Sequence, residues 1–110
     1  MEMIRITILY PASVGARFDM DYYLGVHAPR ALSRLGGAVE SFTVDVGIHA
    51  PPMSEPLFVA AGHYLCASAE EFMAAYLPHA AELQADVANY TDIKPIIQVS
   101  EVRLVIPAQS

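Results

Sequence analysis

Phe42-Thr-Val-Asp-Val-Gly-Ile48 and Leu57-Phe-Val-Ala-Ala-Gly-His-Tyr-Leu-Cys66 are the stretches that decide the fold. The first alternates apolar with other residues. The second is a longer apolar run, and both read as β-strands. Between them, His49–Pro56 is rich in proline and reads as a loop rather than a tight two-residue turn. Two strands therefore follow each other directly in mid-chain. Phe42, Val44, Val46 and Ile48 are expected on the buried face of the first. The second is apolar on both faces, with Val59, Ala61 and Leu65 opposite Phe58, Ala60 and Tyr64.

Upstream, Ile4-Arg-Ile-Thr-Ile-Leu-Tyr10 predicts another strand, closed by Pro11 and followed by a loop over Ala12–Arg17. Asp19 suits the N-cap of a helix starting at Met20, because its carboxylate can accept an unpaired backbone N–H. Phe18 and Tyr23 fall at the two positions of a hydrophobic staple. The helix should run to about Leu35, where Gly36-Gly37 supplies a left-handed stop. Pro29 lies inside it, and its ring would press on the carbonyl of Gly25, so a bend is expected beside His27. Downstream, Ser68-Ala-Glu-Glu71 is a capping box. It opens a second helix with Phe72, Tyr76, Ala80 and Leu83 on one face, bent at Pro78. Val87–Lys94 reads as a loop and Pro95–Ile106 as the last strand.

The order strand, helix, strand, strand, helix, strand is that of the ferredoxin-like α+β fold, a βαββαβ protomer with a four-stranded antiparallel sheet. Its 110 residues make one domain, 1–110. An antiparallel sheet open to water shows a polar outer face. This sheet does not, so both faces should be covered, one by helices and the other by a second copy. A C2 homodimer through the sheet faces, closed as a dimeric α+β barrel, is expected.

Composition points the same way. Apolar residues make up 55% and charged residues 16%, against about 45–50% and about 25% in ordinary domains. Disorder is excluded, and the apolar surplus needs an interface to hide in. A net charge of −6, with Lys94 and five arginines as the only cations, argues against nucleic acid. No basic amphipathic stretch suggests a membrane surface, and the apolar runs fall short of the roughly 20 residues a bilayer span needs. Met1-Glu2-Met3-Ile4-Arg5 lacks the basic start of a signal peptide. Cys66 stands alone, so an internal disulfide is ruled out and a reducing cytoplasm is expected.

On an ideal helix Tyr23, His27, Arg30 and Arg34 form one stripe, about 90° from the apolar stripe Met20, Leu24, Ala28, Ala31, Leu35. A half-buried His27 there can act as general acid or base. Arg30 and Arg34 can hold a carboxylate or a developing oxyanion. The plainer alternative is a helix flank whose histidine bonds a carbonyl freed by Pro29. Tyr10, Tyr64 and Tyr90 end or flank strands, where a phenol can line a pocket and donate one hydrogen bond. His63 reads as a buried, satisfied imidazole, His49 as solvated, and His79 as able to bond a freed carbonyl or a substrate. No metal-ligand spacing, GxGxxG or GxSxG occurs, so neither a metal, a nucleotide cofactor nor a serine triad is expected. Cys66 reads as core.

Three segments are similar to the EthD family, named for ethyl tert-butyl ether degradation, in the dimeric α+β barrel superfamily. They are the Ile4–Tyr10 strand, Phe18-Asp-Met-Asp-Tyr-Tyr-Leu-Gly-Val-His-Ala-Pro29 and Asn89-Tyr-Thr-Asp-Ile-Lys-Pro-Ile-Ile-Gln-Val-Ser-Glu101. The resemblance implies a ferredoxin-like protomer pairing sheet to sheet, with His27 as the first functional candidate. Family members accompany a cytochrome P450 system in ether breakdown, and the wider superfamily holds cofactor-free monooxygenases, lactone isomerases and polyketide cyclases. Two functions are carried forward. One is a cofactor-independent enzyme doing proton-transfer or oxidation chemistry on a small hydrophobic carbonyl or aromatic metabolite, with His27, Tyr23 and Arg30 catalytic and Tyr10, Tyr64 and Tyr90 binding substrate. The other is a non-catalytic dimer that delivers a hydrophobic metabolite to an oxygenase partner.

Overall fold

The computed structural model describes residues 3–108. Met1 and Glu2, at the start where a signal peptide was not expected, lie outside them. Strands β1 (Ile4–Pro11), β2 (Ser41–Val46), β3 (Phe58–Cys66) and β4 (Ile96–Glu101) form one sheet in the order β2-β3-β1-β4. Every neighbouring pair is antiparallel, with Ile8 opposite Gly62 on one side and Ile97 on the other. This is the βαββαβ ferredoxin-like arrangement, with helices on one face.

Alternation along β1 points Ile6 and Tyr10 at the helices, where both are buried. One core cluster joins Ile6, Leu35, Tyr64, Cys66 and Phe72; a second joins Tyr10, Tyr23, Ala60, Tyr90 and Ile93. Burial pushes the Cys66 thiol up from its ordinary range. The opposite sheet face carries Leu9, Val59, Ala61 and Leu65, all half-buried.

The caps form as their local chemistry dictates. Asp19 accepts the Tyr22 N–H at 3.0 Å, and Ser68 Oγ accepts the Glu71 N–H at 3.1 Å. Phe18 meets Tyr23 edge-on at 5.3 Å. Gly36, at φ 55°, ends the first helical segment in a conformation that glycine adopts without strain.

Both helices are interrupted at their prolines. The first has α1 (Met20–Tyr22), a π-helical turn over Tyr23–His27, and α2 (Ala28–Leu35). The Ala28 N–H reaches back five residues to the Tyr23 carbonyl. This wider turn removes the clash that Pro29 would make in a regular helix. The second has α3 (Ala69–Tyr76), a tight 3₁₀ turn over Leu77–His79, and α4 (Ala80–Val87).

The extra residue in the π turn shifts the phase of everything before it. Tyr23, His27, Ala31 and Leu35 are all buried, four residues apart, whereas Leu24, placed in the apolar stripe from sequence, is exposed. The expected stripe therefore divides: Tyr23 and His27 turn inward, while Arg30 and Arg34 stay on the flank.

Two strands end earlier than the sequence suggests. β2 stops at Val46, and Val46 and Ile48, expected on the buried face, are exposed. β2 is an edge strand, and its chain leaves the sheet at Gly47, where a Cβ would collide with the Phe58 carbonyl oxygen. β4 stops at Glu101, because its partner β1 begins at Ile4, the residue paired with Glu101. Residues 47–57 and 102–108 lie outside the strands, tied to the sheet at Gly47, Leu57 and Val102, and Ile48, Met53, Leu57, Leu104, Val105 and Ile106 are between 71% and 76% exposed. The radius of gyration is 15.0 Å, against about 13 Å for a domain of this length.

Candidate active site

The π turn delivers His27, 8% exposed, to a gap between the helices and the sheet. Its Nδ1 lies 2.8 Å from Oδ2 of Asp86, near the end of α4. Asp86 is 4% exposed and is held from several sides. Oδ1 accepts from the Tyr22 hydroxyl at 2.6 Å and from Asn89 Nδ2 at 2.9 Å, and forms an ion pair with Arg30 at 3.0 Å. Burial alone would raise its pKa. The hydrogen bonds from Tyr22, Asn89 and His27 and the Arg30 charge outweigh that and hold it at about 2.

A carboxylate ionised through the working pH range orients the imidazole: Nδ1–H donates to Asp86, which leaves Nε2 on the far side of the ring. His27 borders a cavity of about 380 Å³, near the lower end of the roughly 300–1,000 Å³ typical of small-molecule sites. Its lining is mainly apolar, with Ile8, Leu35, Phe72 and Leu83 among the contributors. Tyr10, Tyr64, Tyr76, Gln84 and Lys94 supply polar groups.

The six residues singled out from sequence fall into two sets. His27, Tyr10 and Tyr64 border the cavity. Tyr23, Arg30 and Tyr90 support that lining from behind. The Tyr23 ring stacks 6.0 Å from the imidazole, and its hydroxyl sits over Gly62, where a Cβ would come within 3.0 Å. Arg30 acts on Asp86. Tyr90, fully buried, packs 4.7 Å from His27 and shares a 2.7 Å hydrogen bond with the Tyr10 hydroxyl. Burial raises the pKa of Tyr10, Tyr23, Tyr64 and Tyr90, so these phenols remain neutral donors.

Asp86 was the residue that sequence reasoning missed. The signal was present, since Asp86 follows Leu83 by three and so falls on the apolar face of the second helix, where an acid is out of place. Asn89 and Tyr90 continue that face into the next turn.

The remaining candidates lie elsewhere. Arg34 forms a surface pair with Glu82 at 2.8 Å, and His79 lies 4.0 Å from the same carboxylate. His49 is 3.4 Å from Glu55. His63 is half-buried on the uncovered sheet face between Thr7 at 3.3 Å and Asp45 at 3.0 Å. Among the described residues, no group of three or more His, Cys, Asp or Glu side chains could hold a metal ion, and no helix is long and apolar enough to cross a membrane.

The low pKa of Asp86 has a measurable consequence. It lies below the unfolded value of about 3.9, so Asp86 stabilises the fold by about 2 kcal/mol at pH values above that. The contribution is lost as pH falls from about 4 through about 2. Urea unfolding should therefore separate the wild type from Asp86→Asn widely at pH 7 and much less at pH 2.5. A gap independent of pH would contradict this account of the carboxylate.

Comparison with known proteins fits this architecture. No curated protein matches the chain. An EthD-like protein from Ralstonia eutropha is 44% identical, with a TM-score of 0.88 over 94% of this chain and 95% of that one. An ethyl tert-butyl ether degradation (EthD) family protein from Bacillus halodurans is 19% identical, with a TM-score of 0.68 over 92% and 99%. A hydroxynitrile lyase from Passiflora edulis shares the fold at 12% identity, with a TM-score of 0.66 over 96% and 97%. The EthD domain model matches residues 13–94, three-quarters of the sequence, and includes both His27 and Asp86. The chain belongs to the EthD family.

Proposed function

We propose that this protein is a cofactor-independent enzyme that moves a proton next to the carbonyl of a small hydrophobic cyclic or aromatic compound. The observation that carries the reading is one imidazole with two environments: Nδ1 bonded to a buried carboxylate, and the ring bordering a small, mainly apolar cavity. Asp86 holds the proton of the neutral ring on Nδ1, so that Nε2 faces the substrate as the base, and stabilises the imidazolium formed when Nε2 takes a proton. The electrons left on carbon move onto the carbonyl oxygen, where a neutral phenol, Tyr10 or Tyr64, can donate to the developing enolate. Tyr23 and Arg30 act as positioning residues, the first through the ring stack and the second through Asp86. Return of the proton to another atom completes an isomerisation, and expulsion of a leaving group completes an elimination.

Deuterium exchange tests this before any natural substrate is known. In heavy water the protein should speed the loss of the α-proton NMR signal of 2-methylcyclohexanone, 1-indanone or α-tetralone above the buffer rate. The apolar lining also favours the second reading, delivery of a hydrophobic metabolite to an oxygenase. Saturable binding of these ketones without exchange would favour that carrier, and neither binding nor exchange would reject both.

We further infer a homodimer closed through the outer sheet face, in a cytoplasmic protein with its single cysteine fully buried. The protomer exposes 7274 Å², against about 5,900 Å² for a folded monomer of this size. Leu9, Val59, Ala61 and Leu65 supply the apolar centre of the face. Native mass spectrometry should find a dimer at micromolar concentration and a monomer for Ala61→Arg, which puts a charge on that face. A monomeric wild type would defeat the arrangement.

A further inference from the structure

We propose that the cavity takes an amphipathic carboxylic acid as its carboxylate, and that Lys94 recognises the anion. The inference rests on this cavity being the ligand site but not on His27 acting as a base.

Lys94 is the single lysine of the chain, and it borders the cavity just before β4. Its backbone is fixed on both sides. The Ile93 N–H donates to Thr91 Oγ1 at 3.0 Å, and that hydroxyl donates to the Arg17 carbonyl at 2.6 Å. Pro95 follows and restricts the chain further. β4 pairs Ile96 with Leu9 and Ile97 with Ile8, which brings the Lys94 root to the Tyr10 end of β1, the end that carries the His27 cluster.

Lys94 is exposed at the edge of the cavity, and like Arg5 and Arg17 it has no carboxylate partner among the described residues, whereas Arg30, Arg34 and Arg103 each have one. Carboxylates are not scarce, because acidic residues outnumber basic ones twelve to six. The nearest acid in sequence, Asp92, is taken by the Arg17 N–H at 2.9 Å. Gln84 donates to Tyr76 at 3.0 Å, so those two cavity groups are bonded to each other. Lys94 is therefore an exposed cation without a carboxylate counter-ion, bordering a cavity that is mainly apolar, with Ile8, Leu35, Phe72 and Leu83 among its walls beside His27 and the tyrosines. An ammonium beside an apolar space fits a ligand with an apolar body and one negative end. At about 380 Å³ the body is of the order of one ring with a short chain.

The test compares a matched pair, 4-phenylbutanoate and its neutral amide, by isothermal titration calorimetry at low salt. The wild type should bind the acid about two- to fivefold tighter than the amide, the scale of an exposed ion pair. Lys94→Met should bind both alike, and Lys94→Arg should keep the preference. Equal affinities in the wild type, a preference surviving in Lys94→Met, or no saturable binding of the acid would each overturn the proposal. The readout needs no turnover. Acid preference without deuterium exchange rejects the proton-transfer reading alone, and exchange without acid preference rejects this inference alone.

Discussion

Replacing His27 by alanine should slow deuterium exchange by about 10²–10⁴-fold, the usual contribution of a positioned acid–base group. The loss should fall on turnover rather than ketone affinity, because the apolar walls that bind the ketone are untouched. Folding is not expected to mask the effect. Removing the ring leaves Asp86 with the Tyr22 and Asn89 hydrogen bonds and the Arg30 ion pair, so the carboxylate stays ionised and partnered. Far-ultraviolet circular dichroism and urea unfolding should report a folded domain. His27→Gln keeps a donor towards Asp86 but offers no comparable base, so it should be as slow as alanine. Exchange at the wild-type rate in either variant would remove His27 from the chemistry.

Asp86→Ala should be the most destabilising single change, costing about 3–5 kcal/mol by equilibrium urea unfolding, because it strands the Arg30 guanidinium and three hydrogen-bond donors. Against the roughly 5–15 kcal/mol that holds a domain together, the variant should lie close to its unfolding threshold at ambient temperature. Asp86→Asn separates structure from catalysis. The amide oxygen can still accept from Tyr22 and Asn89, but an NH₂ group facing His27 calls for an acceptor at Nδ1. The ring then moves its proton to Nε2 and presents a donor in place of a base. A folded Asn variant with exchange reduced at least about 10²-fold is expected. An alanine variant within about 1 kcal/mol of the wild type would show that the carboxylate is not the keystone described.

The parts of this molecule that depend on short-range chemistry were legible in the sequence. Asp19 and Ser68 cap helices through bonds to residues three positions on, and the strand periodicities needed only their own residues. The disturbance at Pro29 could be foreseen, but not its form. A kink and a widened turn answer the same steric clash, and only the packing of Tyr23 against Tyr10 and Tyr90 selects the second. The inward turn of His27 was therefore hidden in a residue count. Asp86 was lost for a different reason. Reading the helix as ended before Val87 placed the acid near a loop, where acids are ordinary, and concealed its position on a buried face. The ends of β2 and β4 were illegible because apolar sequence continues past them, and a strand stops where its neighbour does.

The widened turn also acts as a phase adjuster within a single helix. Each residue added to or removed from Tyr23–His27 would rotate the upstream portion by about 100° relative to the downstream portion. Natural variants can therefore exchange the letters at Leu24, Gly25 or Val26 more freely than they can alter the number of residues there. Lineage comparison should find this spacer constant in length even where its composition drifts, and a lineage that shortened it would have aimed a different side chain at the ligand.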